Sequence, residues 1–125
     1  MSSEFVLICD ADALLTELLE HRLGQQGYET AVARDGGEAL TLLAERPPDA
    51  VIMESMLPVN DGYEVLRRIR ENVQLKDLPV IMLSARKHAR DIVEALELGA
   101  SDYMTKPFIL DELVARLARL MGRAG

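Results

Sequence analysis

Ala50-Val51-Ile52-Met53 is a continuously apolar run that stops abruptly on the acidic Glu54. Consecutive apolar residues without polar alternation suit a strand covered on both faces, as in a parallel sheet. Two runs of the same kind flank it: Phe5-Val6-Leu7-Ile8-Cys9 before, and Val80-Ile81-Met82-Leu83 after. These also stop on polar side chains, Asp10 and Ser84. Tyr28 to Ala33 and Ser101 to Thr105 are more mixed and predict edge strands. Between the runs, apolar residues recur at helical spacing. Leu14, Leu15, Leu18, Leu19 and Leu23 form one stripe, and Leu110, Leu113, Val114, Leu117, Leu120 and Met121 another. Ala39, Leu40 and Leu43, then Val65, Leu66 and Ile69, then Ile92, Ala95 and Leu96 mark three more. Five strand–helix units imply right-handed crossovers and helices on both faces of a doubly wound sheet.

The punctuation agrees. Gly24 and Gly27 follow the first helix and Gly99 the fourth, where glycines end helices. Asp35-Gly36-Gly37 breaks the chain before the second helix. Pro47-Pro48 and Pro79 precede the third and fourth strands, where a missing N–H costs least. Gly122 to Gly125 reads as a frayed end.

Composition narrows the function. The 125 residues predict a single domain over 1–125, standing alone or as the front of a longer protein. The net charge of −7 argues against direct nucleic-acid contact, which needs a basic face. The lone Cys9 excludes an internal disulfide and reads as a packing residue in the first strand. No apolar run is long enough to span a membrane and no signal-peptide layout opens the chain, so a cytoplasmic domain is expected.

In an open α/β sheet, ligands bind beyond the carboxyl ends of the strands. Asp10 and Asp12 stand there after the first strand, Glu54 after the third, Ser84 after the fourth and Lys106 after the fifth. Carboxylates, a hydroxyl and an ammonium on one edge suit phosphoryl or metal chemistry. The acidic Asp10-Ala11-Asp12 turn would repel a nucleotide or flavin phosphate, which needs a glycine-rich or hydroxyl-rich loop. His21 and His88 read as solvated, and Arg86, Lys87 and Arg90 as a solvated face or part of a partner surface.

Three segments carry a resemblance. Pro48-Asp49-Ala50-Val51-Ile52-Met53-Glu54-Ser55-Met56-Leu57-Pro58 with Asp61-Gly62-Tyr63-Glu64-Val65-Leu66 is the first. Pro79-Val80-Ile81-Met82-Leu83-Ser84-Ala85 is the second, and Gly99-Ala100-Ser101-Asp102-Tyr103-Met104-Thr105-Lys106-Pro107-Phe108 the third. In residues and intervals they resemble the receiver domain of bacterial two-component response regulators, across essentially the whole chain. The resemblance implies a flavodoxin-like (βα)5 fold with strand order 2-1-3-4-5. It implies a site where a sensor kinase's phosphohistidine gives its phosphoryl group to an aspartate ending the third strand. Magnesium is held there by that aspartate, by an acidic residue after the first strand and by a backbone carbonyl. Matched position by position, Ser84 and Lys106 would contact phosphoryl oxygens, Met56 would supply the carbonyl, Asp10 would be the first acidic residue, and Tyr103 the aromatic switch.

Two matched positions depart. Glu54 stands at the phosphoacceptor position, and Ala11 where a carboxylate would touch the metal directly. Asp12, one residue on, points elsewhere in a strand-to-helix turn. Magnesium, if bound through Asp10, Glu54 and Met56, is expected to be weakened, and no cofactor is required. In-line phosphoryl transfer depends on positioning and charge neutralisation, so conventional phosphorylation is not expected. Glu54 can instead act as a partial phosphomimetic, with one charge and two oxygens. That reading expects Tyr103 inward and Glu54 engaging Ser84 or Lys106. Its rival expects Glu54 paired to Lys106 with Tyr103 outward. The module would then be a non-enzyme that docks signalling partners, a sensor kinase or an output domain. It would use the face of the fourth helix, fifth strand and fifth helix, with Asp102, Glu112 and Arg116 as a homodimer surface. The alternatives are a conventional phosphorelay receiver carrying an engineered Asp-to-Glu change and, on the short Asp10-Ala11-Asp12 motif, a haloacid dehalogenase-like phosphatase.

Overall fold

A computed structural model describes residues 3–123. The chain alternates strand and helix: β1 (Phe5–Cys9), α1 (Ala13–Gln25), β2 (Glu29–Ala33), α2 (Gly36–Glu45), β3 (Ala50–Met53), α3 (Gly62–Glu71), β4 (Val80–Ser84), α4 (Ala89–Leu98), β5 (Asp102–Thr105) and α5 (Leu110–Leu120). The five strands are parallel and lie in the order β2-β1-β3-β4-β5. The expected doubly wound flavodoxin-like topology is therefore present.

The apolar runs decide this arrangement. Every residue of β1, β3 and β4 is buried, and these are the three central strands. Alternate side chains on each strand face opposite ways, so two separate cores form. On one face Leu7, Cys9, Val51, Met53, Val80 and Met82 meet α2, α3 and α4 through Leu43, Leu66, Ile69 and Ala95. On the other, Val6, Ile8, Ile52, Ile81 and Leu83 meet α1 and α5 through Leu19, Leu23, Leu113 and Leu117. The more polar β2 and β5 are the edges, as their mixed sequences predict. Cys9 is buried, and desolvation pushes its thiol far up, which leaves it an inert packing group.

Two details differ from the sequence reading. Gly24 lies inside the last turn of α1, and the residue after the helix with positive φ is Gly27, at 89°. Gly99 does cap α4 with a left-handed φ of 110°. Gly122 and Arg123, expected in a frayed end, are held: the Gly122 amide donates to the Arg119 carbonyl at 3.1 Å and the Arg123 amide to the Ala118 carbonyl at 2.8 Å. Arg123 is tied to Glu4 at 2.6 Å and to the Gln26 carbonyl at 2.8 Å, and its guanidinium stacks 3.7 Å above the Tyr28 ring. Ala124 and Gly125 lie outside the described residues.

Two glycines bring the loops of the carboxyl edge together. A Cβ on Gly36 would stand 1.7 Å from the Asn60 carbonyl oxygen, so only glycine lets the start of α2 meet the β3–α3 loop. A Cβ on Gly62 would stand 2.5 Å from the Glu54 carbonyl oxygen and 2.8 Å from the Ser55 Cα. The Gly62 amide instead donates to the Ser55 carbonyl at 2.8 Å. Gly62 thereby holds the backbone that carries Glu54. Gly62→Ala is expected to cost roughly 1–3 kcal/mol by overpacking. Urea unfolding of both proteins checks this, and an unchanged midpoint would show that the loop gives way freely.

Candidate functional site

β1, β3, β4 and β5 end side by side, and their terminal residues face one cleft. Asp10 follows β1, Glu54 follows β3, Ser84 ends β4 and Lys106 follows β5. Asp10, Glu54 and Ser84 are buried, and Lys106 reaches in between the carboxylates. Its Nζ lies 2.7 Å from Asp10 Oδ2 and 2.8 Å from Glu54 Oε2. One ammonium thus bridges two carboxylates that would otherwise repel each other in a poorly hydrated pocket.

The remaining carboxylate oxygens are also occupied. Asp10 Oδ1 accepts the Asp12 amide at 2.9 Å. Glu54 Oε1 accepts the Met56 amide and the Ser55 hydroxyl, each at 3.2 Å. The Ser55 and Ser84 hydroxyls are hydrogen-bonded to one another at 2.5 Å, and Ser84 Oγ accepts the Arg86 amide at 3.1 Å. A continuous polar chain therefore runs from Ser84 through Ser55 and Glu54 to Lys106 and Asp10. Burial would raise the Glu54 carboxyl, but the Lys106 ammonium, the Ser84 hydroxyl and the Met56 amide together hold it below the usual carboxylate range. Burial likewise opposes the charge on Lys106, and the hydrogen bonds it donates to Asp10 and Glu54 outweigh this and raise the ammonium.

Ser55 is the residue that sequence reasoning missed. It is fully buried, and its hydroxyl is the link between Glu54 and Ser84. The available signal was a serine directly after the strand-end acid, next to an apolar run that leaves it no route to water. Asp12 is corrected in the other direction. Its carboxylate caps α1, accepting the Leu14 and Leu15 amides at 3.0 and 3.2 Å, and the residue is exposed. It does not join Asp10 in the cleft, because the first turn of the helix claims its oxygens. Asp10 and Asp12 therefore do not form the paired acid and nucleophile of the phosphatase alternative.

The aromatic position is ordered. The Tyr103 hydroxyl donates to the Arg86 carbonyl at 2.9 Å, and its ring packs against the core on the α4 side of the sheet. Tyr63 OH donates to the Asp91 carbonyl at 3.1 Å, and burial first, then Tyr103, pushes its hydroxyl up to about 12. These two bonds stitch the β4–α4 connection onto α3 and β5. Glu54 is paired with Lys106, which both expectations allow, and Tyr103 is half-buried with its hydroxyl on the Arg86 carbonyl.

The cleft suits a resident divalent cation poorly. Such an ion needs carboxylate oxygens free to face it. Here all four oxygens of Asp10 and Glu54 have partners within the protein, Ala11 offers no oxygen from its side chain, and Asp12 is committed to α1. Among the described residues, no group of three or more His, Cys, Asp or Glu side chains is arranged to hold a metal. Met56, exposed beside Glu54, contributes its amide to the carboxylate.

The three charged residues expected to form a docking face are bonded to each other. Arg116 reaches both Asp102 oxygens at 2.9 Å and Glu112 at 2.7 Å. Glu112 and Arg116 line a cleft of about 290 Å³ with Ile92, Pro107, Phe108 and Ile109. No described helix is long and apolar enough to cross a membrane.

Comparisons with known proteins agree with this architecture. The family model for the response regulator receiver domain matches residues 6–118. The chain is 42% identical over 118 residues to the response regulator MprA of Mycobacterium sp. (strain KMS), covering 94% of this chain and 50% of that protein. It is 43% identical over 125 residues to the transcriptional regulatory protein PrrA of Mycobacterium tuberculosis, covering 100% of this chain and 53% of that one. The chain therefore spans about half the length of these curated relatives. Among solved structures, a putative response regulator from Chloroflexus aurantiacus superposes with a TM-score of 0.91 at 38% identity, covering 98% of this chain and 100% of that one. The receiver domain of the sensor histidine kinase PA1611 from Pseudomonas aeruginosa, solved with magnesium in its active-site cleft, gives 0.87 at 30% identity over 97% and 99% of the two chains.

The shared ammonium sets the stability of the cleft. Removing it by Lys106→Met leaves two buried carboxylates facing each other. The expected loss near neutral pH is roughly 2–4 kcal/mol, somewhat below the value for breaking a fully buried pair because the lysine side chain is 23% exposed. The sign with pH follows from the two shifts. Glu54's lowered pKa stabilises above about pH 4.5, an effect lost as pH falls through the folded value. Lys106's raised pKa stabilises below about pH 10.5, an effect lost as pH rises through the folded value. Urea unfolding across pH should show the gap between the two proteins widest within that window. A gap independent of pH would mean that lost packing, not lost charge, is responsible.

Proposed function

This chain belongs to the response regulator receiver family, whose members are signalling modules of two-component systems, and we propose that it signals without taking up a phosphoryl group. The observation that carries this reading is the Lys106 ammonium closed on both Asp10 and Glu54. The incoming phosphoryl group would need an acceptor oxygen free for in-line attack and a cation to neutralise charge. Glu54 has both oxygens engaged, and its carboxylate stands one methylene beyond that of an aspartate. Ala11 removes the second direct carboxylate for magnesium, so any magnesium binding through Asp10, Glu54 and Met56 is weak and serves no required step.

On this reading Glu54 also stands in for part of a phosphoryl group. Its carboxylate holds Lys106 directly and Ser84 through Ser55, while Tyr103 sits inward on the Arg86 carbonyl. A charge-assisted bond of about 1–3 kcal/mol is enough to bias a two-state switch of this kind. The domain acts by docking a sensor kinase or an output domain in the cytoplasm, with α4, β5 and α5 as the docking face. It does not itself contact nucleic acid, given its net charge of −7.

Incubation with acetyl phosphate or phosphoramidate and magnesium, followed by intact-mass analysis, is expected to show no phosphoryl adduct. A stoichiometric adduct that disappears in Glu54→Ala would overturn the reading. Ala11→Asp with Glu54→Asp restores both missing groups and is expected to regain the adduct. Ala11→Asp alone is expected to tighten magnesium binding about tenfold by calorimetry or tyrosine fluorescence. Equal affinity in the two proteins would mean that another group already fills the place of the missing carboxylate.

A further inference from the structure

At the amino edge of the sheet, opposite the cleft, one buried polar group has no partner. The Tyr28 residue is 5% exposed, and its hydroxyl makes no hydrogen bond among the described residues. A buried hydroxyl left unpaired counts against the conformation that buries it. Burial first pushes this hydroxyl's pKa up, the Arg123 guanidinium opposes that, and Glu4 adds to it, so both charges lie near the ring.

Arg123 covers that ring. Its guanidinium stacks 3.7 Å from the ring centre, Nε donates to Glu4 Oε1 at 2.6 Å, and Nη1 donates to the Gln26 carbonyl at 2.8 Å. An aromatic face, a carboxylate and a carbonyl around one planar cation make a guanidinium site. Its three walls come from separate parts of the chain. Glu4 precedes β1, Gln26 caps the end of α1, and Tyr28 precedes β2. The backbone at the end of α5 is built to deliver the cation. The Arg123 amide on the Ala118 carbonyl and the Gly122 amide on the Arg119 carbonyl form a Schellman pair, with Gly122 at a left-handed φ of 74°. A Cβ on Gly122 would meet nothing within 4 Å, so this glycine is there for the turn and not for packing.

From this we infer that the end of α5 is a latch: Arg123 fills, from within the chain, a guanidinium site made by Tyr28, Glu4 and Gln26, and is poised to leave it. The closing contacts are modest. The Arg123 and Glu4 side chains are 29% and 36% exposed, and an ion pair that water reaches is weak. Against closure stands the unpaired Tyr28 hydroxyl, which gains water when Arg123 swings away. Closed, the latch ties the end of α5 to the starts of β1 and β2 and gives the chain one direction of exit. Open, it frees that exit and leaves a site that accepts a guanidinium from outside. In any longer protein that contains this domain, the latch sets where the following segment starts. The inference goes beyond the docking reading above and does not rest on it.

Hydrogen exchange and NMR of the 125-residue chain test this, with urea unfolding recorded alongside. Arg123→Ala and Glu4→Gln should each lower the protection of the residue 122 and 123 amides by about threefold or more, with the central strands unchanged. Tyr28→Phe should raise that protection by about twofold or more, because the stack stays and the unpaired hydroxyl goes. In Arg123→Ala, ethylguanidinium should return the Tyr28 ring signals toward their wild-type positions, and ethylammonium should not. Unchanged protection in Arg123→Ala overturns the latch, as does a loss spread evenly over the whole domain. So does a Tyr28→Phe variant that fails to tighten the end of α5, or an ethylguanidinium titration that leaves Tyr28 unmoved. The phosphodonor experiment involves neither Arg123 nor Tyr28, so failure of one reading is distinguishable from failure of the other.

Discussion

One ammonium shared by two buried carboxylates governs the cleft. Asp10 and Glu54 end neighbouring strands, and parallel pairing of β1 with β3 brings them together whether or not their charges agree. Two carboxylates this close and this dry cannot both stay ionised without a cation. Lys106 supplies it from β5, two strands away from β3 in the sheet. The position of Lys106 is set in turn by β5 pairing with β4 in register, Ser84 against Thr105, with the Lys106 amide donating to the Ser84 carbonyl at 2.8 Å. The site's electrostatics therefore depend on the whole sheet being assembled.

Most of the architecture was legible because burial on both faces leaves a plain mark. The uninterrupted runs at β1, β3 and β4 specify the three central strands, and the mixed runs at β2 and β5 specify the edges. The polar residue that ends each strand was equally plain, and Asp10, Glu54, Ser84 and Lys106 do converge. What the sequence left open was the use made of each oxygen. Whether Asp12 turns into the cleft or caps α1 depends on a local competition, and two helix amides win it. Ser55 looks like a loop residue in one dimension. Its burial comes from β4 passing beside it, which no local pattern records. Arg123 was hidden for a similar reason, since its anchor points, Glu4, Gln26 and Tyr28, are distant in sequence.

The relation between Glu54 and Tyr103 shows how such a site can be balanced. Pairing of the acid with Lys106 was expected in either state, and here it coexists with a half-buried Tyr103 whose hydroxyl lies on the Arg86 carbonyl. The reason is that they draw on different atoms. Glu54 Oε2 serves Lys106, while Oε1 serves Ser55 and the Met56 amide. Ser55 then holds the Ser84 hydroxyl, which also accepts the Arg86 amide. The same residue's carbonyl accepts the Tyr103 hydroxyl. Arg86 is therefore the hinge between the cleft and the docking face. Its amide reports the position of Ser84 and its carbonyl holds Tyr103.

That connection has a consequence for α4. The β4–α4 turn is held at Arg86 by Ser84 and Tyr103, and α4 begins three residues later at Ala89. The Tyr63 hydroxyl on the Asp91 carbonyl adds a second tie inside the first turn of α4. A shift of Ser84 would have to move the Arg86 peptide, and with it the start of the helix that carries Arg90 and Val93. Both oxygens of Glu54 are engaged, and Ser84 is held by Ser55 and the Arg86 amide. A module wired in this way couples its cleft to its surface through rigid backbone contacts.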